Sequence, residues 1–462
     1  MTEIDKFEFL VLGSGEAGKY LAWTMANAGH RTAVVERRWI GGSCPNIACM
    51  PSKNVIWSAK VASLSGRGPE FGLPCASTVD MAAVRWRKRK MVEDMVNVHL
   101  DRYKLESNVE LIMGEGRFVG PKRLEVKTND GTVRLVEGDR VFLNVGTHAA
   151  IPDIPGLRDA NPMTHIEALE LDRIPDHLIV LGGGYIGLEL SQAMRRFGSR
   201  VTVIQRSGQI ASREDSDVGQ ALLQLFQEEG VEVLLNTHVV DVAGTSGMEV
   251  NVTVQTSEKK MTLRASDLLV AIGRIPNTQG IGLELAGVEL DARGYVKVNE
   301  ELQTTASGVW ALGECAGSPQ FTHVSFDDFR VVRDTLAGKK RTTKNRLVPF
   351  CMFTDPELAR VGLNEKEARS RGLAYRLCKL PMTANLRART LSETRGFMKA
   401  LIAKESDQIL GFTMFGVEAG EVISVAQTAM LGEMPYTVMR DAIYTHPTIA
   451  EGLNVLFRAP PV

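Results

Sequence analysis

Cys44 and Cys49 lie five residues apart in the run Gly41-Gly-Ser-Cys-Pro-Asn-Ile-Ala-Cys-Met-Pro-Ser-Lys53. On a regular helix that spacing separates Cα atoms by roughly 8.6 Å, whereas a disulfide wants less than about 7 Å. A bridge between them requires a distorted first helical turn, and a strained bridge is readily reduced. Pro45 suits a helix start, because its ring presets φ and its missing N–H is not needed there. Cys44 is then expected at a helix N-terminus, where the dipole favours thiolate. The pair therefore reads as a working redox dithiol rather than a staple. Cys75, Cys315, Cys351 and Cys378 form no second close pair and are expected to be buried or inert thiols.

Two nucleotide-binding units must position this chemistry. Residues 7–12 form an apolar strand, followed by Gly13-Ser-Gly15-Glu-Ala-Gly18, a helical run to Gly29, and a strand over 32–35 ending in Glu36. The first glycine makes the turn, the second lets a pyrophosphate approach the backbone, and the third lets helix pack on strand. Glu36 is placed to accept hydrogen bonds from a ribose diol. The pattern recurs: a strand over 178–181, Gly182-Gly-Gly184-Tyr-Ile-Gly187, a helix to Gly198, and a strand over 201–204. That strand ends in Gln205-Arg206-Ser207, where an NAD-binding unit would carry an acid. A guanidinium in place of the carboxylate favours a 2′-phosphate, hence NADPH, with Arg213 able to assist. Two nucleotide units and a dithiol define an electron path in which reduced pyridine nucleotide gives hydride to a flavin and the flavin reduces the disulfide.

With these motifs the chain resembles the pyridine nucleotide-disulfide oxidoreductases of the glutathione reductase, dihydrolipoamide dehydrogenase and mercuric reductase type, over essentially its whole length. Further segments carry the likeness: Asn144-Val-Gly-Thr147, Ala271-Ile-Gly273-Arg274-Ile-Pro-Asn277, Ala311-Leu-Gly313-Glu314, and Tyr444-Thr-His446-Pro447-Thr448 with Glu451. The resemblance implies an α/β fold with two Rossmann-like dinucleotide-binding domains, for FAD and NAD(P), and a C-terminal α+β dimerisation domain. It places FAD at residues 1–153 and 277–345, NADPH at 154–276, and the interface domain at 346–462, entered through the polar segment 339–345. In the last domain strands are expected over 396–403 and 409–415 and a helix over 421–431.

The resemblance also assigns roles. Cys49 would be the thiolate nearest the flavin and Cys44 the interchange thiol that attacks substrate. Lys53, four residues after Cys49 and so on one helical face with it, would lie near flavin N5 with Glu189 as its partner. Tyr185 would cover the flavin until nicotinamide displaces it. His446, before a proline that is cis in the family, would move the proton of Cys44, with Glu451 fixing its tautomer. Gly13, Gly15, Gly18, Glu36, Gly42, Thr147, Gly313 and Glu314 would hold FAD. Gly182, Gly184, Tyr185, Gly187, Arg206, Ser207, Gly273 and Arg274 would hold NADPH. The implied protein is a homodimer in which His446 serves the partner subunit's site, and no metal site is expected.

The chain departs from the family at Pro45 and Ala48, which replace a common Val and Gly, and at Glu314, which replaces an aspartate. Residues 319–328 look more like the mercuric- and cupric-reductase-like branch. Mercuric reductases, however, carry a C-terminal cysteine pair, and the last cysteine here is Cys378. The favoured activity is reduction of a small disulfide. The alternatives are a metal-ion or quinone reductase, or a flavin-bound redox sensor whose turnover is incidental.

Composition fits a large enzyme. With 54 Lys+Arg against 55 Asp+Glu over 462 residues the net charge is −1, which gives no reason to expect a nucleic-acid partner. The start has no apolar signal region and no run approaches a membrane span, so the protein is expected to be cytoplasmic. The basic run Arg85 to Lys90, set among apolar residues, reads as a solvated helix face.

Overall fold

The computed structural model describes residues 3–74 and 78–458, so Cys75 lies outside the described residues. Two compact units are present. The first gathers the chain up to Val55 with Ala82–Ala150 and Gly273–Arg346; the second gathers Ile56–Met81, Ile151–Ile272 and the chain from Leu347 onward.

The first unit is built on parallel strands in the spatial order Val109–Gly120, Thr32–Glu36, Ile4–Leu12, Val133–Leu143, Val309–Ala311. The strand Arg123–Thr128 pairs antiparallel with Val109–Gly120 and Val133–Leu143. Strands of a parallel sheet are covered on both faces and so read as apolar runs. Ile4–Leu12 obeys this: Leu10 and Leu12 pack into one core, Phe9 and Val11 into the other. Helix Glu16–Asn27 follows directly and lays Ala17, Leu21 and Ala22 on the second of these cores. The basic run lies on helix Met81–Leu105 and is mostly exposed, as expected, except that Lys88 is buried.

The second unit repeats the motif. Its parallel sheet runs Asp267–Val270, His177–Leu181, Arg200–Ile204, Glu232–Leu234, and helix Tyr185–Phe197 follows the His177–Leu181 strand. A three-stranded antiparallel sheet, His238–Thr245, Glu249–Gln255 and Lys260–Ala265, is added to it. A five-stranded antiparallel sheet follows in the order Phe350–Met352, Glu357–Gly362, Ile409–Gly416, Phe397–Ala403, Tyr375–Pro381, with helix Ala419–Leu431 in its core. The expected strands and helix of the last domain are therefore present, with shifts of one or two residues. Among the described residues no helix is long and apolar enough to cross a membrane.

Candidate active site

The dithiol sits where the chain breaks between two helices. Ser43–Asn46 forms a single turn, Ile47 leaves helical geometry at φ −137°, and a new helix runs Cys49–Gly66. This is the distortion that the five-residue spacing demands. The break differs from expectation in one respect: Cys49, not Cys44, opens the long helix, and Cys44 lies in the isolated turn. Both thiols are free and half-buried, and they hydrogen-bond to each other. The Cys49 sulfur also lies 3.2 Å from Thr322 Oγ1. The hydrogen bond from Cys44, helped by Thr322 and by the positive charge of Lys53, lowers the Cys49 thiol to about 6 against the penalty of burial. That same hydrogen bond, with burial, raises the Cys44 thiol. The coupling thus favours the proton on Cys44 and the charge on Cys49. Of the remaining thiols, buried Cys315 is raised to about 11 by desolvation, and Cys378 is raised for the same reason.

The first glycine turn is locked by the residue that opens the 144–147 segment, to which the sequence assigns no role of its own. Asn144 accepts the Gly18 N–H through Oδ1 at 2.9 Å and donates from Nδ2 to the Leu312 carbonyl at 2.8 Å. A Cβ on Gly15 would stand 2.5 Å from Asn144 Oδ1. Gly42, at φ +82°, brings the dithiol segment against this turn, and a Cβ there would stand 2.6 Å from Gly15 Cα. Helix Glu16–Asn27 has no side-chain cap, and the N–H groups of Gly15 and Glu16 donate to nothing among the described residues. A tightly packed turn with open amides at a helix N-terminus fits the pyrophosphate of a dinucleotide.

Around this cradle, Gly313 N–H donates to Asp328 at 2.7 Å, and Asp328 pairs with Arg346 at 2.6 Å. Glu314 accepts a short hydrogen bond from Thr147 Oγ1 on Oε2, which leaves its Oε1 without a protein donor among the described residues. The helix Thr322–Leu336 serves three parts of the site from positions three residues apart: Thr322 at Cys49, Ser325 at the Ala17 N–H, Asp328 at Gly313. Only the 319–328 stretch as a whole had flagged this helix in sequence.

Glu36 is buried at the end of its strand and accepts from Ser14 N–H, Ser14 Oγ, Arg38 N–H and Trp39 N–H at 2.8–2.9 Å. Arg274, expected with the coenzyme, belongs to the first unit. Its guanidinium donates to Thr147 Oγ1 at 2.6 Å and to the Thr147 carbonyl at 2.9 Å, and reaches Glu314 at 3.2 Å. The neighbouring strands Arg274–Pro276 and Thr147–Ala149 pair antiparallel, with Arg274 opposite Ala149 and Pro276 opposite Thr147.

The second glycine turn lies in the second unit. A Cβ on Gly182 would stand 2.5 Å from the Ala271 carbonyl, the same distance that separates a Gly13 Cβ from the Asn144 carbonyl in the first turn. Gln205, read in sequence only as a missing acid, points inward: its Oε1 accepts the Gly183 N–H at 2.9 Å and its amide donates to Ser207 and the Gln209 carbonyl. Arg206 and Arg213 are exposed, and neither guanidinium makes a hydrogen bond or ion pair among the described residues. Tyr185 opens the helix after Gly184, with its hydroxyl donating to Glu214 Oε1 at 2.8 Å. Glu189, on the same helix, is buried and accepts the Phe353 N–H at 2.7 Å. Near the C-terminus, His446 precedes a cis proline and is 66 % exposed, and its Nδ1 lies 2.8 Å from Glu451 Oε2. Among the described residues Asp215, Asp217 and Glu365 come close enough to hold a cation, but the buried Lys399 ammonium already stands 2.7–3.1 Å from each.

Residues 7–328 match the model for pyridine nucleotide-disulphide oxidoreductases, and residues 348–456 match that family's dimerisation domain. The chain belongs to the pyridine nucleotide-disulphide oxidoreductases. Among curated relatives of this oxidoreductase is the probable pyridine nucleotide-disulfide oxidoreductase RclA of Escherichia coli, 34% identical over 98% of this chain and 99% of that one. The mercuric reductase of Acidithiobacillus ferrooxidans is 34% identical over 96% of this chain and 81% of its own length. Among solved structures, the Cu(II) complex of the HOCl-induced flavoprotein disulfide reductase RclA of E. coli superposes with a TM-score of 0.90. It is 33% identical and covers 98% of this chain and 99% of that chain. This oxidoreductase is accordingly a flavoprotein that uses FAD and a pyridine nucleotide in disulfide oxidoreduction.

Proposed function

We propose that this oxidoreductase passes electrons from NADPH to the Cys44–Cys49 disulfide and on to a small disulfide substrate. Bound FAD supplies the two-electron connection between coenzyme and dithiol, and Gly13, Gly15, Gly18, Glu36, Gly42, Thr147, Gly313 and Glu314 are the residues that would hold it. Arg274 is best counted with them, through Thr147 and Glu314. In this reading the domains fall at 1–153 and 277–345 for FAD, 154–276 for the coenzyme and 346–462 for the subunit interface.

The observation that carries the reading is the pair of free thiols at the break between two helices, with the Cys49 sulfur 3.2 Å from Thr322 Oγ1. Cys49 holds charge, as the residue facing the flavin must. Cys44 keeps a proton that has to leave before its sulfur can attack. His446, its ring held by Glu451, takes that proton; the Cys44 sulfur bonds one substrate sulfur and the other departs as a thiol with the proton returned to it. The Cys49 thiolate then attacks the Cys44 sulfur, breaking the mixed disulfide and restoring the intramolecular one, and the second substrate sulfur leaves as a thiolate that takes its proton from water. Lys53 supplies positive charge beside Cys49, with Glu189 as the partner that the family pattern gives it. Gly182, Gly184, Tyr185, Gly187, Ser207 and Gly273 belong to the coenzyme site, and the uncommitted guanidinium of Arg206 favours a 2′-phosphate. His446 serves the partner subunit's dithiol, so the working unit is a homodimer, in the cytoplasm.

A second reading, metal-ion reduction at the same dithiol, is favoured by one finding: a relative covering nearly the whole chain has been captured as a Cu(II) complex. Coenzyme-consumption assays across small disulfides, Cu(II), Hg(II) and quinones, with Cys44→Ala as control, separate the two. Disulfide-dependent NADPH oxidation that vanishes in Cys44→Ala is expected. Turnover with Cu(II) or quinone alone, and none with any disulfide, would overturn the proposal.

A further inference from the structure

The coenzyme turn carries a device that its glycines do not require. Tyr185 is the first residue of helix Tyr185–Phe197, directly after Gly184, so its ring leaves the chain at the mouth of the nucleotide turn. There the N–H groups of Gly184 and Tyr185 donate to nothing among the described residues, as a phosphate site requires. The ring does not swing free. Its face lies against Phe350, centroids 5.5 Å apart, and its hydroxyl is tied to Glu214.

Glu214 is itself anchored from every side. It is 1 % exposed, and its second oxygen accepts Arg360 Nε at 3.0 Å. Arg360 is fixed in turn by Glu367 at 2.6 Å and by the Gly362 carbonyl. The Glu214 backbone donates to the Ala211 carbonyl and accepts Gln209 Nε2. On either side the loop is pinned, by Asn364 on the Arg213 carbonyl and by the Glu365 and Lys366 N–H groups on Asp215. Burial pushes the Glu214 carboxyl up while the Arg360 guanidinium opposes that, and the buried Tyr185 phenol beside this carboxylate is raised as well. The phenol is therefore the donor of the pair, held by a rigid acceptor that cannot follow it if the ring turns.

We infer that Glu214 is a positioning residue that latches the Tyr185 ring across the coenzyme entrance, so that nicotinamide can enter only by breaking the Tyr185–Glu214 hydrogen bond. This rests on the proposed role of Tyr185 as the ring that nicotinamide displaces. The latch sets the cost of entry, and with it the balance between coenzyme affinity and shielding of the site. Both effects act through Tyr185, because Glu214 is placed to touch the phenol and not the reacting atoms.

Calorimetric titration of the holoenzyme with NADP⁺ tests this without turnover. Tyr185→Phe deletes only the hydroxyl and should bind NADP⁺ about tenfold more tightly, the low end of what a hydrogen bond to a charged group contributes. Glu214→Gln keeps an acceptor but loses its charge and should bind about threefold more tightly. The double variant should bind no more tightly than Tyr185→Phe alone, because the two changes remove one bond. Adenosine 2′,5′-bisphosphate, which has no nicotinamide to displace the ring, should bind all four proteins equally. Unchanged or weaker NADP⁺ binding in Tyr185→Phe, additive effects in the double variant, or equal effects on the bisphosphate would each overturn the latch. Tyr185→Ala separates the latch from its premise. If Tyr185→Ala tightens NADP⁺ binding while Tyr185→Phe does not, the ring gates but Glu214 does not hold it. If Tyr185→Ala changes nothing, the gate and the latch both fall.

Discussion

At the residue scale the account turns on which sulfur carries charge. Cys49 is lowered to about 6 by the hydrogen bond from Cys44, with Thr322 and Lys53 assisting, so its thiolate exists above that pH and is protonated as pH falls through it. A thiolate beside oxidised flavin gives a broad long-wavelength absorbance band. Two-electron reduction of the holoenzyme should therefore produce this band, and acidification through about pH 6 should abolish it. Cys44→Ser should show the band without added reductant, though shifted toward higher pH if serine is the weaker donor, and Cys49→Ser should lack it. A band that persists in Cys49→Ser would exchange the two roles. Coenzyme choice is a residue-scale matter too. Among the described residues Arg206 has a guanidinium free of protein partners, and a charge-assisted pair with a 2′-phosphate contributes roughly 1.5–3 kcal/mol. Arg206→Ala should raise the KM for NADPH about tenfold or more and leave that for NADH nearly unchanged. Equal effects on both coenzymes, or a preference for NADH in the unaltered protein, would remove the assignment.

At the scale of elements, the site depends on a helix that is interrupted at Ile47 and on turns packed too closely for side chains. Gly42→Ala puts a Cβ 2.6 Å from Gly15 Cα at a φ of +82°, so the dithiol segment and the first nucleotide turn must move apart. The expected result is protein with reduced flavin content and a stability loss of roughly 1–3 kcal/mol, seen in absorbance ratio and thermal melting. Full flavin occupancy with an unchanged melting temperature would show that the turn does not depend on this contact. Much of this was legible in the chain itself. The glycine spacing announces both strand–turn–helix units, and the five-residue cysteine spacing announces the broken helix, because each is a local geometric demand. What was not legible depends on residues far apart in sequence. Thr322 reaches Cys49 across 273 positions, and Asn144 reaches Gly18 across 126. Gln205 reads as a lost carboxylate, and its amide oxygen accepts the Gly183 N–H; Arg274 reads as a coenzyme ligand, and its guanidinium donates to Thr147. The Tyr185–Glu214 contact spans only 29 residues, yet no motif marks Glu214, since its role is set by the burial that Arg360 makes tolerable.

For the whole molecule, the match of residues 348–456 to the family's dimerisation domain and the exposure of His446 go together. Its 66 % exposure and its contact with Glu451 fit the proposal that this imidazole serves a dithiol on another chain. The central claim is that each working site joins Cys44 of one subunit to His446 of the other. Cys44→Ala and His446→Ala homodimers should both be nearly inactive toward a disulfide, while NADPH still bleaches the flavin absorbance in each. The deciding measurement is disulfide reduction by a one-to-one mixture of the two variants, unfolded and refolded together with heterodimers confirmed by mass. Random pairing makes about half the dimers mixed, each with one doubly defective site and one intact site, so activity should recover to about a quarter of the unaltered enzyme. A mixture as inactive as its parents would contradict the account, because every site would then draw Cys44 and His446 from the same chain.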